Sequence, residues 1–208
     1  MLIVPLEPMR RELVVVNSRF VSSLSPAESV EEARAFIQCI RAEFPDATHQ
    51  VPAFIIGGGN TTTEYCADDG EPSGTSGRPL LAVLKGSGLG DVVVVVTRYF
   101  GGTLLGTGGL VKAYGDAGRA VVAAVRRAVM VEAGRLEFDL PYHLFDRLRL
   151  IAAEAGAEIV EERFEEVVHL AVELPLDARE GFESRLSELS SGSVLPRLAG
   201  TRMARRPV

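Results

Sequence analysis

Alternating apolar and polar runs predict five strands in the first 130 residues. The runs are bounded by glycine, proline or polar residues, as strands commonly are. Residues 91–97 include five consecutive valines, and a strand that is apolar on both faces indicates a central, covered position. The glycines at residues 57–59, followed by Asn60, predict a hairpin turn. The predicted strands cover residues 13–16, 20–24, 50–56, 61–66 and 91–97.

Apolar residues three and four positions apart predict three helices among these strands. The first is expected to begin at a capping box running from Ser25 to Glu28, with Pro26 at the first helical position, and to end at Pro45. A short second helix follows Pro79, and a long third helix follows the valine-rich strand. The residues predicted to face the core are Val30, Ala33, Ile37, Ile40, Phe44, Leu80, Leu81, Leu84, Leu110, Tyr114, Ala117, Val121, Val125 and Ala128.

The last third of the chain predicts the order β-α-β-β-α-β, which is the ferredoxin-like pattern. Gly156 is expected to end the first of its helices. Asp177 and Glu180 are expected to cap the second. The predicted strands cover residues 136–140, 157–164, 167–174 and 193–204. The predicted inward residues of the helices are Leu144, Leu148, Ile151, Ala155, Phe182, Leu186 and Leu189.

Glycine usage and charge both change near residue 134. Sixteen of the 21 glycines lie between Gly57 and Gly118. Residues 136–196 carry 14 acidic and 5 basic side chains, whereas residues 197–208 carry four arginines and no acid. These shifts predict a domain boundary within residues 134–137, with domains at 1–134 and 135–208.

The composition excludes several classes of protein. With 47% hydrophobic and 24% charged residues, the chain can pack a core, which argues against disorder. No apolar stretch approaches the ~20 residues of a membrane span, and residues 1–13 do not resemble a signal peptide. The two cysteines, Cys39 and Cys66, form neither a disulfide framework nor a zinc motif. We therefore expect a cytoplasmic protein without a membrane partner.

A loop of carboxylates is the first candidate for chemistry. A loop rich in Gly, Ser and Pro contains three carboxylates within four consecutive residues: Asp68, Asp69 and Glu71. Carboxylates are ligands for hard cations such as magnesium, so a metal site is one interpretation. The alternative is a solvated turn in which aspartate caps backbone amides. We predict no metal and no cofactor.

A glycine-rich segment at residues 106–109 leads into the long helix. Free amides at a helix N-terminus favour an anion. Thr107 stands where a P-loop requires lysine, and Val111 stands where a dinucleotide-binding motif requires its third glycine. Two interpretations therefore remain: the segment binds an anion weakly, or its glycines have a purely structural role.

Other chemistries have weaker signals. The three histidines lie in separate predicted elements, and no Ser or Cys nucleophile motif is present. Lys112, Arg119 and Arg126 recur every seven residues on the predicted long helix, but Asp116 lies among them. The net charge of −6 also opposes non-specific phosphate binding.

Two long motifs, DDGEPSGTSGRPLL from Asp68 and VVVVVTRYFGGTLLGTGGLVKAYG from Val92, resemble the YigZ/IMPACT family. The match covers residues 17–129. The remainder resembles the family's C-terminal domain, which is similar to a domain of elongation factor G. The resemblance implies an α+β protein with a ribosomal protein S5 domain 2-like α/β sandwich at residues 1–134. Residues 135–208 would form the ferredoxin-like domain.

The same resemblance implies a role in translation, since eukaryotic relatives are translation regulators. One hypothesis is a non-enzymatic binding protein that contacts RNA, the ribosome or a translation-associated protein. The alternative is an enzyme acting on a small phosphorylated or anionic ligand. The motif residues that carry over as candidate binding residues are Asp68, Asp69, Gly70, Glu71, Pro72, Gly74, Arg98, Tyr99, Phe100, Gly101, Gly102, Gly106, Gly109 and Tyr114.

The valine-rich strand leaves its apolar core at Thr97 and is expected to deliver Arg98 to its carboxyl end, close to a helix that begins near Gly109. It would pair with a carboxylate of the loop or face a ligand with it. If the pair serves a site, we expect it to be exposed, and exposed pairs contribute ~0–1 kcal/mol to stability. A buried structural pair would cost ~3–5 kcal/mol when one partner is removed.

Overall fold

A computed structural model describes residues 2–58 and 61–208, in two compact units. The first unit runs to Met130 and includes Arg205–Val208, and the second is Val131–Ala204. The strands are β1 (Ile3–Pro5), β2 (Met9–Val15), β3 (Ser18–Pro26), β4 (His49–Gly58), β5 (Thr61–Cys66), β6 (Val92–Tyr99), β7 (Arg127–Leu140), β8 (Glu158–Phe164), β9 (Val168–Pro175) and β10 (Arg197–Pro207). The α-helices are α1 (Val30–Glu43), α2 (Gly77–Ser87), α3 (Gly106–Ala124), α4 (Phe145–Glu154) and α5 (Arg179–Ser190).

The first unit is built on a sheet in the order β2-β3-β6-β4-β5, in which all neighbours are antiparallel. Strand β6 lies at its centre, with Val94 opposite Leu24 on one side and Ala53 on the other. The five valines of β6 are fully buried, as predicted for a central strand. The strand continues to Tyr99, two residues beyond the predicted end, and Arg98 lies at its carboxyl end as expected. Strand β1 pairs with the first residues of β7.

Helices cover both faces of this sheet. Val92, Val94 and Val96 pack in one core with apolar residues of α2 and α3. Val93 and Val95 pack in a second core with the buried stripe of α1. Because alternate side chains of a strand point to opposite faces, the unbroken valine run supplies both cores.

Several predicted helix boundaries differ from the structure, beginning with the start of α1. Pro26 ends β3 opposite Val92, so α1 does not begin there. Its N-cap is Ser29, whose hydroxyl accepts a hydrogen bond from the Glu32 amide at 3.1 Å. The Glu32 carboxylate in turn accepts from the Glu28 amide at 2.8 Å, which is a capping-box arrangement four residues later than predicted.

The end of α3 also differs from the prediction. The helix ends at Ala124, and Ala128 is buried in β7. Arg126 therefore does not share a helix face with Lys112 and pairs instead with Glu7 at 2.8 Å. The predicted basic face of three residues does not form.

The second unit has the predicted element order. Strand β9 pairs antiparallel with β7 and β8, and β10 pairs with β7, which gives the order β10-β7-β9-β8. Helix α4 ends before Gly156, which has a φ of 64°, a conformation that glycine adopts readily. A 3-10 turn, Leu176–Ala178, precedes α5, and no side chain caps that helix, so the predicted Asp177 and Glu180 cap is wrong. The buried residues of this core lie between Leu136 and Val194.

The predicted hairpin turn lies partly outside the described residues, because Gly59 and Asn60 are not among them. The strands on its two sides pair antiparallel as far as Gly58 and Thr61. The predicted domain boundary at residues 134–137 lies within β7. In the described part of the chain, no helix is long and apolar enough to cross a membrane.

Candidate functional site

The loop between β5 and α2 is organised by Asp68. Its carboxylate accepts hydrogen bonds from the amides of Gly74 and Gly77 at 2.8 and 2.9 Å and from the Ser76 hydroxyl at 2.8 Å. Partial burial raises the pKa of Asp68, but these hydrogen bonds outweigh burial and hold the pKa below its ordinary value. Asp68 therefore fixes the loop against the start of α2, as the turn-capping interpretation predicts.

Asp69 ties the same loop to β4. Its carboxylate accepts from the Gln50 amide at 2.7 Å and from the Arg41 guanidinium at 3.0 Å. Its carbonyl oxygen lies 2.9 Å from Nδ1 of His49. Asp69 adopts a φ of 49°, which is uncommon for a residue other than glycine and is held here by these three contacts.

Glu71 lies at the centre of a buried polar network. One of its carboxylate oxygens, Oε1, accepts from Nη1 of Arg98 at 2.6 Å and from the Tyr114 hydroxyl at 2.7 Å. The other, Oε2, lies 3.8 Å from Nε2 of His49. Burial and the neighbouring Glu71 carboxylate raise the pKa of Tyr114, so its hydroxyl remains a proton donor.

The Glu71–Arg98 pair confirms that Arg98 pairs with a carboxylate of the loop. The expectation of an exposed pair is wrong, because the two side chains are only 3% and 6% exposed. The Arg98 guanidinium also lies 5.6 Å from the ring centres of Phe20 and Phe100. Arg98 comes from the central strand and Phe20 from its neighbour, so the sheet itself buries the charge.

An open cavity of about 400 Å³ lies beside this network. The loop, β6 and the N-terminus of α3 all contribute to it, and most of its wall is apolar. Phe100 is 45% exposed and Leu104 is 85% exposed. The helix begins at Gly106, three residues earlier than predicted. The cavity is lined by Thr48, His49, Gly70, Glu71, Pro72, Arg98, Phe100, Leu104, Leu105, Gly106, Thr107 and Leu110.

The structure brings together six of the fourteen predicted binding residues in this cavity wall: Gly70, Glu71, Pro72, Arg98, Phe100 and Gly106. Tyr114 contacts Glu71 from within the core. The remaining seven lie outside the wall: Asp68, Asp69, Gly74, Tyr99, Gly101, Gly102 and Gly109.

Like Asp68 and Asp69, the residues Tyr99 and Gly101 have clear local contacts. Tyr99 donates a hydrogen bond from its hydroxyl to Asp46 at 3.1 Å. A Cβ at Gly101 would lie 2.1 Å from the backbone of Asn17, so this position requires glycine for packing.

Sequence reasoning missed half of the cavity wall. Thr48, His49 and Thr107 supply polar groups, and Leu104, Leu105 and Leu110 supply apolar surface. His49 lies directly opposite Arg98 in the pairing of β4 with β6. Only the register of those two strands would have identified it.

The carboxylates of the loop are committed to internal partners, which bears on the magnesium interpretation. Asp68 accepts from backbone amides, Asp69 from Gln50 and Arg41, and Glu71 from Arg98 and Tyr114. Among residues 2–58 and 61–208, no group of three His, Cys, Asp or Glu side chains is placed to hold a metal ion.

Comparison with known proteins identifies the two halves of the chain. Residues 16–122 match the Impact N-terminal domain, and residues 138–193 match a domain of unknown function, DUF1949. The chain is 35% identical to the IMPACT family member YigZ of Escherichia coli over 92% of this chain and 95% of that protein. It is 36% identical to an IMPACT family member of Haemophilus influenzae over 94% and 96%. The chain belongs to the IMPACT family, as its sequence motifs predict.

A solved structure supports the same fold. The crystal structure of a hypothetical protein matches with a TM-score of 0.60 and 34% identity, covering 96% of this chain and 97% of that one. The two-domain translational regulator Yih1 matches with a TM-score of 0.36 and 24% identity over 58% of this chain. A similarity as low as that to Yih1 carries no argument about function.

Proposed function

We propose that this protein is a non-enzymatic binding protein linked to translation, and that it contacts the ribosome through the surface formed by the two motifs. The observation that carries this proposal is the open, largely apolar cavity, beside which Phe100 and Leu104 are exposed. Exposed apolar surface at a rigid concave site is typical of a binding surface. The link to translation comes from the family resemblance of the motifs.

The carboxylates of the site support binding more than catalysis. A general acid or base needs a side chain that can reach a substrate proton. Here Glu71 lies 3% exposed beneath Arg98, and Asp68 and Asp69 bind backbone amides. Asp68 and Asp69 hold the loop against α2 and β4, and Glu71 ties it to Arg98 of β6.

The proposal is tested by sedimenting ribosomes from a cell extract with the purified protein over a salt series. We expect co-sedimentation that persists as salt rises, because contacts through apolar side chains are less screened than phosphate contacts. Leu104→Asp should reduce the bound fraction at least tenfold. Leu195→Asp is the matched control, because Leu195 is 83% exposed against 85% for Leu104 and lies in the second unit.

Two outcomes would contradict the proposal. One is the absence of co-sedimentation at every salt concentration. The other is binding that Leu104→Asp and Leu195→Asp reduce equally, which would place the contact elsewhere. If binding of this second kind also falls steeply with salt, the contact is with phosphates away from the motifs.

A further inference from the structure

A second open site lies on the outer side of α2 and α3, away from the motif cavity. We call it the α2/α3 groove, and its volume is about 750 Å³. The two helices approach closely at Gly118, where a Cβ would lie 2.8 Å from Cδ1 of Leu80. The groove shares none of its lining residues with the motif cavity.

The surface of the groove is largely apolar. Ala82 and Val83 of α2 face it, together with Val111 and Val122 of α3. Val111 is 42% exposed. Gly86 leaves its part of the wall open, since a Cβ there would meet no atom within 4 Å. Apolar surface in a concave groove favours a ligand that brings apolar side chains of its own.

The charge around the groove is positive. Lys112, Arg119 and Arg127 line it, and the lining residues include no carboxylate. Arg119 pairs with the neighbouring Asp116 at 2.6 Å. Within the described ranges 2–58 and 61–208, Lys112 and Arg127 form no ion pair. Two cations in a protein of net charge −6 are thus left available to an acidic ligand.

We infer that the α2/α3 groove docks an acidic amphipathic helix of a partner protein. Apolar side chains three and four positions apart on that helix enter the groove, and its acidic side chains pair with Lys112 and Arg127. This is the helix-in-groove mode of peptide recognition. The lining contains no aromatic ring on which a base could stack, so the groove suits a peptide better than single-stranded RNA.

A phage-displayed library of random 15-residue peptides tests this inference on the full-length protein. The library is selected on the wild type and counter-selected on Gly86→Leu. Leucine at this helical position narrows the groove where Gly86 lines it, meets no atom at its Cβ and improves helix propensity. We expect surviving peptides to carry apolar residues at i, i+3 or i+4 and an excess of Asp and Glu.

Two further variants sharpen the test. Lys112→Glu combined with Arg127→Glu should weaken binding of the selected peptides at least tenfold. Gly181→Leu is the matched control, because Gly181 is also a helical glycine whose Cβ would meet nothing within 4 Å, and it lies in α5. Binding to this control should equal binding to the wild type.

Three results would overturn the inference. The first is the absence of surviving peptides, or survivors without the acidic, helical pattern. The second is loss of binding to Gly181→Leu as large as that to Gly86→Leu. The third is a fluorescein-labelled 15-nucleotide RNA that binds the wild type and loses binding in Gly86→Leu, which would assign the groove to nucleic acid.

Discussion

The first unit contains a buried ion pair, whereas the ion pairs described in the second unit lie at the surface. In the first unit, the side chains of Glu71 and Arg98 are 3% and 6% exposed. The Glu71 carboxylate also accepts a hydrogen bond from the Tyr114 hydroxyl. In the second, Arg135 and Glu161 pair at 2.7 Å with side chains 36% and 44% exposed. A buried ion pair needs neighbouring groups that satisfy its remaining hydrogen bonds, whereas an exposed ion pair contributes little to the free energy of unfolding. The buried ion pair is therefore formed by two residues of the family motifs, Glu71 and Arg98.

The two units also differ in how their cores are assembled. The first unit has separate cores on the two faces of one sheet. The second has one core, formed by strands β7 and β9 with α4 and α5, and none of its buried residues comes from the first unit. A core that is complete within one segment is the physical requirement for independent folding.

We therefore propose that the second unit folds alone. A cooperative unfolding transition of the isolated unit is the largest effect we expect. A fragment of residues 131–204 should show a cooperative thermal transition by circular dichroism and dispersed amide resonances. A unit of this size is marginally stable, so its midpoint should lie below that of the full chain. A fragment of residues 136–204 is the comparison, because it lacks the pairing of Ala133, Gly134 and Arg135 with β9. If both fragments melt without cooperativity, the division into domains is wrong.

The next largest effect concerns the buried pair. Glu71→Ala leaves the Arg98 guanidinium buried without its carboxylate, and we expect a loss of about 3–5 kcal/mol in the free energy of unfolding. Urea denaturation of the full chain measures this loss. The double variant Glu71→Leu with Arg98→Met should recover part of it, because two apolar side chains leave no unpaired charge.

The exposed pair of the second unit supplies the matched control. Glu161→Ala removes a carboxylate that also contacts an arginine, but at the surface, and should cost about 0–1 kcal/mol. Equal losses for Glu71→Ala and Glu161→Ala would contradict the distinction between the two regions.

Sequence periodicity predicted the fold well because burial here follows local patterns. The valine run of β6 and the stripe Ala33, Ile37 and Ile40 of α1 are buried as the spacing indicates. The errors lie at element ends. Ser25 and Ser29 both satisfy the local rules for an N-cap, and only the pairing of Pro26 with Val92 decides between them.

The candidate site was less predictable, because its geometry depends on contacts between distant segments. Arg98 and Glu71 were identified from the motifs, but whether their pair is exposed depends on the sheet around Phe20. His49 joins them only through the register of β4 with β6. A motif identifies the residues of a site, whereas burial and register determine what those residues can do.

A smaller effect than that of the buried pair is expected at Asp68, whose pKa is lowered in the folded protein. Partial burial alone would raise this pKa, but hydrogen bonds from Gly74, Gly77 and Ser76 outweigh the burial and lower the pKa. A carboxyl group whose pKa is lower in the folded state than its ordinary 3.8 contributes stability above that value. The contribution is lost as the pH falls through the folded-state pKa, when the carboxylate takes up a proton.

Asp68→Asn should therefore destabilise the protein by about 1–3 kcal/mol at neutral pH, because the amide replaces an ionised acceptor of several hydrogen bonds. The difference from the wild type should shrink as the pH is lowered below about 4, since both proteins then carry an uncharged side chain. Urea denaturation at a series of pH values measures this. Asp177→Asn is the control, because Asp177 is exposed and caps no helix, and it should change stability by less than about 0.5 kcal/mol at any pH. A difference for Asp68→Asn that stays constant down to pH 2 would show that the charge of Asp68 does not hold the loop.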